Sequence, residues 1–491
     1  MSGLLDRERS MATAGYSRWL IPPAALAIHL SIGQVYAFSV FKRPLQAHFA
    51  TSPTPIACIF SLAIVILGLS AAFGGTWVER QGPRKAMFVA ACCWGTGFAI
   101  GALGIATRQL WLLYLGYGVV GGIGLGIAYI SPVPTLIKWF PDRPGLATGM
   151  AIMGFGGGAL IASPVSLKLM QAFETSEGNP GSGVMKTFLV LGACYFAAMM
   201  FGAFTVRLPP PGWAPPGAAS APSNAPGTSG APSGGAGEVS RRVRMSRPSF
   251  PGFDPDRQVR ISAANAIRTP QFWMLWVTLF CNVTAGIGIL EQAAPMIQDF
   301  FRDGPRSHVS AVVAGGFVGV LSICNMAGRF VWSSTSDIVG RKRIYSLYLG
   351  LGVILYALLA MVGGHSTVVF VLLAGAILSL YGGGFATIPA YIRDLYGPFQ
   401  VGAIHGRLLT AWSAAGVAGP LIINAILQRE GKPGALTAEA YRPAFLVMAS
   451  VLAVGFVANW LVRAVDERFD EASRSPVPPH APSEGEVSHE S

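Results

Sequence analysis

Long apolar runs alternate with short polar breaks along nearly the whole chain. Twelve runs are long enough to cross a hydrocarbon core as helices, which takes roughly 20 residues each. They fall at 19–41, 55–78, 87–106, 110–137, 146–170, 186–206, 271–298, 309–333, 343–363, 367–390, 403–427 and 442–464. The stretch 209–237, rich in Pro, Gly, Ala and Ser, divides them six and six. It cannot bury a core and reads as a disordered linker. The pattern predicts an all-α membrane protein with a terminal segment at 1–18 and a six-helix bundle at 19–206. A linker at 207–268, a second six-helix bundle at 269–464 and a disordered tail at 465–491 complete it.

The two bundles read as a duplication. GTWVERQGPRK at 75–85 recurs in degraded form 258 positions later as SSTSDIVGRKR at 333–343. Gly126, Ala128 and Ile130 match Gly384, Ala386 and Ile388 at the same offset. Gly145 and Gly149 match Gly402 and Gly406, and Pro164 matches Pro420, with a drift of one or two residues. Parallel repeats of this kind rock about a site at their interface near the bilayer midplane. Each loop keeps a spaced acid, glycine and base: Gly75, Glu79, Arg80, Gly82, Arg84 and Lys85 in the first, Asp337, Gly340, Lys342 and Arg343 in the second. A carboxylate in such a loop accepts hydrogen bonds from helix N-termini or pairs with the neighbouring bases, so the loops read as matched cytoplasmic gates.

Composition narrows the class. Hydrophobic residues make up 52% of the chain and charged residues 12%, against about 25% charged in soluble domains. With both termini placed in the cytoplasm, the cytoplasmic segments hold 23 of the 35 Lys and Arg and the opposite side 10; Arg329 and Arg407 lie within helices. The +12 net charge thus follows from topology in a cell (inner) membrane and calls for no nucleic acid. The basic stretch from Arg241 to Arg268 is expected near anionic headgroups of the bilayer. The first apolar run has no A-x-A-like site after it and reads as a spanning helix. The six cysteines sit in apolar runs without metal-ligand spacing and read as small buried hydrophobes, so no metal or organic cofactor is implied. GGIGLG at 121–126 lies inside an apolar run, with no Gly-Lys-Ser/Thr continuation, and reads as helix packing, which argues against ATP-driven transport. Ionisable groups within the runs are isolated, which argues against an enzyme, and no signalling domain is apparent to favour a sensor of small acids.

Arg329 lies eight residues before Asp337, about 12 Å deeper along a helix. A guanidinium at that depth is costly unless it meets water, a partner or an anion. Its planar fork matches a carboxylate, and it stays charged. The other reading is a structural pair with a carboxylate such as Glu291. His29 in the first helix and Glu291 in the seventh are candidates for carrying a proton. Arg393 and Asp394 read as a local interfacial pair.

The repeated gate loop, the six-plus-six layout and the long central loop resemble the major facilitator superfamily. RTPQFWMLW at 268–276, WFPDRPGLATG at 139–149 and GQVY at 33–36 followed by Pro44 resemble the oxalate:formate antiporter family, which lies near the monocarboxylate transporters. The similarity covers residues 19–464. It implies two pseudo-symmetric six-helix bundles, Arg329 as the residue that binds the substrate carboxylate, and a cage of Tyr36, Tyr129, Phe155, Tyr381 and Phe385. Phe155 and Phe385 stand for tyrosines of the family, and Tyr381 for a tryptophan. Trp412 stands where the oxalate transporter has a second basic residue, a lysine, leaving Arg407 near the start of helix eleven. One central cation matches a monoanion better than a dianion. The resemblance therefore implies a secondary carrier of a small organic anion, with a monocarboxylate such as formate, lactate or pyruvate favoured over oxalate. Obligate exchange for a counter-anion and symport with a proton are both open, and a monomer suffices.

Overall fold

A computed structural model of the chain describes residues 2–13, 15–51, 53–173, 180–210, 213, 259–301, 311–430 and 436–471. The linker between 214 and 258, the basic stretch up to 258 and the tail beyond 471 lie outside them. Among the described residues there are twelve long helical spans: α1 (Arg18–Phe41), α2 (Pro53–Gln81), α3 (Pro83–Ala106), α4 (Leu110–Trp139), α5 (Pro144–Phe173) and α6 (Pro180–Thr205) in the first half. The second half has α7 (Pro270–Phe300), α8 (Ala311–Val339), α9 (Arg341–Val362), α10 (Thr367–Tyr396), α11 (Val401–Glu430) and α12 (Ala438–Leu461). Eleven contain a stretch long and apolar enough to cross a membrane; the other, α8, carries Arg329 and packs between α5 and α10.

Local sequence sets the ends. Proline opens α2, α3, α5, α6 and α7, where its missing N–H has no helical partner to lose. The gate loops are much shorter than the repeated strings suggest. Both acids belong to the preceding helix, and the chain turns into the next helix at single glycines, Gly82 at φ 86° and Gly340 at φ 97°. Only glycine adopts that conformation without strain. Three spans are irregular inside. α1 tightens to a 3₁₀ helix from Gln34 to Phe41, α4 contains a π-helical turn at Tyr114–Val120, and α11 breaks at Leu409.

The duplication is visible in the packing. Within the first half α1 packs on α5, α2 on α4 and α3 on α6; six helices later α7 packs on α11, α8 on α10 and α9 on α12. The halves meet through two related pairs, α5 with α8 and α2 with α11. Small residues let these backbones approach. A Cβ on Gly75 would lie 2.8 Å from Ala403 Cα, one on Gly149 would lie 3.0 Å from the Arg329 carbonyl oxygen, and one on Gly406 would strike the Ala71 carbonyl. Of the glycines matched by sequence offset, Gly145, Gly149, Gly402 and Gly406 lie where the halves touch, while Gly126 and Gly384 pack within their own halves.

The cysteines correct one expectation. Only Cys281 is buried; Cys58 and Cys194 are exposed and Cys92, Cys93 and Cys324 half-buried. An apolar run in a membrane helix has a face turned outward as well as one turned to the core, and apolarity alone does not separate them.

Candidate substrate site and gates

Arg329 occupies the middle of the interface with no exposed surface. Its Nε donates to Asn325 Oδ1 at 3.0 Å and its Nη1 to the Ile152 carbonyl of α5 at 3.3 Å, while Nη2 has no hydrogen-bond partner among the described residues. Both acceptors are neutral, so the described residues leave the guanidinium without a counter-charge at hydrogen-bonding range. The guanidinium lies 5.6 Å from the ring centroid of Phe155 on α5 and 5.1 Å from that of Phe385 on α10. One ring comes from each half, and both stabilise the cation through their electron-rich faces.

All six aromatic positions expected around Arg329 come together. Trp412 is the hub, with its ring 4.7 Å from Phe385, 5.3 Å from Phe155, 5.3 Å from Tyr129 and 6.5 Å from Tyr36. Tyr36 and Tyr381 hydrogen-bond through their hydroxyls at 3.1 Å, joining α1 to α10. Except for Tyr36, which is half-buried, every ring is within 1% of complete burial. Trp412 Nε1 is buried without a partner among the described residues, and the Tyr129 hydroxyl, which makes no close hydrogen bond, lies beside the Arg329 guanidinium. Unmade hydrogen bonds at buried donors are costly. With Arg329 Nη2 they make a set of donors suited to the oxygens of a small anion.

His29 lies against this cage. Its Nδ1 donates to the Ala25 carbonyl at 3.0 Å, its Nε2 makes no close hydrogen bond among the described residues, and its ring is 5.5 Å from Tyr129. The Glu291 side chain lies outside the described residues, and with it the alternative of an Arg329–Glu291 pair.

On the face that carries both termini, the gate acids use the first of the two expected modes. Asp337 accepts from the Gly145 and Leu146 amides at 2.8 Å each, capping α5 of the other half. Glu79 accepts from the Gly402 amide at 3.0 Å, at the start of α11, again across the interface. Anionic caps of this kind meet the positive end of the helix dipole. The ion-pair partners differ from those expected. Asp337 pairs with Arg341 at 2.5 Å, and Arg341 also reaches Asp394 at 3.3 Å. Glu79 is 3.9 Å from Lys138. Arg84 donates instead to the Leu4 carbonyl, Lys85 to Gln81 and Lys342 to the Val462 carbonyl, each tying its half to a terminal or helix-end segment. Neither Arg80 nor Arg343 is placed on a gate acid. Arg393 donates across the interface to the Pro141 carbonyl and Asp394 pairs with Arg341, so neither side chain of the expected local pair is ion-paired with the other among the described residues. Arg341, Lys138, Asn325 and His405 went unread in the sequence. Arg341 is matched by Pro83 in the first repeat, which hides it from an argument by repetition.

Two like bundles of membrane-crossing helices, with a buried arginine among aromatic rings at their interface, have the architecture of a membrane transporter. The sequence profile of the Major Facilitator Superfamily matches residues 14–326 and 304–486, and the chain belongs to that family. It is similar to the oxalate:formate antiporter of Oxalobacter formigenes, at 23% identity over 441 residues and 90% of each chain. Apicoplast pyruvate carrier 1 of Toxoplasma gondii is 22% identical over 416 residues, 79% of this chain and 74% of that one. Among solved structures, FucP, a Major Facilitator Superfamily transporter in the outward conformation, covers 90% of this chain and 99% of its own with a TM-score of 0.61 at 15% identity.

Proposed function

We propose that the protein is an alternating-access carrier for small monocarboxylates, with Arg329 anchoring the carboxylate. The observation that carries this reading is a fully buried guanidinium with a free Nη2 and neutral partners, enclosed by aromatic rings from both halves. A single carboxylate supplies the missing charge through two parallel hydrogen bonds. A second carboxylate on the same ligand would enter the dry cage unpaired, at a cost of several kcal/mol. The relatives named above act on small carboxylates, oxalate and formate in one and pyruvate in the other. The carrier sits in the cell membrane as a monomer, with both termini and the Asp337–Gly145 and Glu79–Gly402 contacts on the cytoplasmic side. A second reading, obligate anion exchange, is favoured by the same cation: an empty site leaves Arg329 uncompensated in the sealed state, which disfavours return without cargo.

Selectivity tests the proposal. In proteoliposomes preloaded with unlabelled anion, wild type is expected to exchange labelled lactate, pyruvate or formate well ahead of oxalate. Trp412→Lys adds a second cation beside the cage and is expected to shift the oxalate-to-lactate ratio toward oxalate by roughly tenfold, about 1.4 kcal/mol. Oxalate exchange by wild type equal to that of the monocarboxylates would overturn the reading.

A further inference from the structure

Beyond Arg329, the interface buries two imidazoles. His29 comes from α1 in the first half, and His405 from α11 in the second; they are 0% and 1% exposed. Their rings lie 5.5 and 5.9 Å from the same Tyr129 ring. Because a carbonyl only accepts, His29 Nδ1 must carry hydrogen in its bond to Ala25, which leaves Nε2 of the neutral ring, beside the Tyr129 backbone, as the nitrogen that can take a proton. That Nε2, the Tyr129 hydroxyl and both ring nitrogens of His405 are buried and make no close hydrogen bond among the described residues. A buried imidazole with both nitrogens unsatisfied is a costly arrangement to hold in a packed interface.

The charges around the pair are accounted for. Arg329 acts electrostatically on His29, and His29 on His405. The charged groups on the neighbouring helices are committed elsewhere. Glu79 of α2 holds the Gly402 amide and stands by Lys138 of α4; Asp394 of α10 is with Arg341 of α9; Arg393 of α10 is on Pro141; Asp337 of α8 is on α5. Arg407, on the same helix as His405, donates to Ala403 and Thr76. Among the described residues no acid bears on either ring.

We propose that His29 and His405 together form a proton site that loads with the anion bound at Arg329. This rests on the monocarboxylate reading above and adds the coupled ion. The physical basis is linkage. A proton on His29 and the cation of Arg329 repel each other, and a carboxylate on Arg329 cancels that repulsion, so anion and proton favour each other's binding by the same factor. Access is gated by the same elements. His405 lies three residues along α11 from Gly402, whose amide Glu79 holds. Releasing that contact draws α11 away from the first half, separating His405 from Tyr129 and opening it to water.

The full-length protein in liposomes tests this with labelled lactate outside and a pH-sensitive dye inside. Wild type is expected to carry a proton in with each lactate, to speed up under an inward proton gradient, and to accumulate lactate roughly tenfold at steady state per unit of that gradient, the 1.4 kcal/mol it supplies. His29→Gln and His405→Gln are each expected to lose that acceleration, measured against the same variant's rate without a gradient. Lactate quenching of tryptophan fluorescence identifies folded variants, and His405→Asn replaces a Gln variant that fails it. Acceleration retained in both variants would overturn the proposal, as would lactate entry without protons in wild type. Loss of acceleration in Glu291→Gln alone would overturn it too, by moving the proton site to α7. Wild type that exchanges no monocarboxylate would defeat the function reading and the proposal with it.

Discussion

Arg329→Gln is expected to lower lactate binding and uptake by at least about a hundredfold while leaving the protein folded. The lost contact is a charged, bidentate one in a site from which water is excluded, where removing one partner of an ion pair costs about 3–5 kcal/mol, or roughly two to three and a half orders of magnitude in affinity. The fold should not suffer. The guanidinium is wholly buried with only neutral hydrogen-bond partners among the described residues, and an uncompensated buried cation opposes folding. The thermal midpoint of the variant is therefore expected to equal or exceed that of wild type in the absence of anion, and to lose the upward shift that lactate gives wild type. Arg329→Lys keeps the charge but loses the planar fork and the fit between the Phe155 and Phe385 rings, so its affinity should fall between the two. Titration of purified protein, paired with a melting curve, reads both effects. A Gln variant that binds lactate like wild type would remove Arg329 from the site.

The second large effect is expected at the gate. Asp337→Ala deletes two amide hydrogen bonds to the N-terminus of α5 and an ion pair to Arg341, whose side chain is 1% exposed and keeps only Asp394 of the two carboxylates. Glu79→Ala deletes a single amide bond at 3.0 Å and a loose 3.9 Å approach to the partly exposed Lys138. The two repeats are thus matched in sequence but unequal in strength. Asp337→Ala should release the closed gate and lower uptake by tenfold or more, and Glu79→Ala should do so severalfold less. A cysteine introduced at Thr148, buried on α5 just inside the gate, reports the opening in a background freed of the six native cysteines. Its labelling by a membrane-impermeant thiol reagent from the side of the termini should rise sharply in Asp337→Ala and only slightly in Glu79→Ala. Equal labelling in both variants would contradict the asymmetry.

The long-range architecture was legible because bilayer thickness fixes helix length, so counting apolar residues located the twelve spans with ends off by up to six residues, most of them on the polar ends that extend past the apolar run. The repeat was legible because Glu79 and Asp337 each lie three residues before a glycine that the backbone requires at positive φ. What those acids touch was not. Their partners are backbone amides of Gly145, Leu146 and Gly402, 191 to 323 residues distant, and an amide has no signature in a sequence. Nearby bases in the string, Lys342 and Arg343, looked like the natural partners, yet the turn at Gly340 gives the contact to Arg341, the first residue of α9. The cage depended on the resemblance to a known family, since no local pattern links Tyr36 to Trp412 or Phe155 to Phe385. His405 lies in the string VGAIHGRL at 401–408 and looks like a polar residue near a helix start; only the folding of α11 against α2 and α4 brings it to Tyr129.

An experimental structure of the protein with a bound monocarboxylate tests the central claim most directly. The account predicts lactate enclosed by Tyr36, Tyr129, Phe155, Tyr381, Phe385 and Trp412, with a carboxylate oxygen about 2.7–2.9 Å from Arg329 Nη2, as charge-assisted pairs are. An anion seated elsewhere, or Arg329 held by an acidic side chain with lactate bound apart from it, would contradict the account.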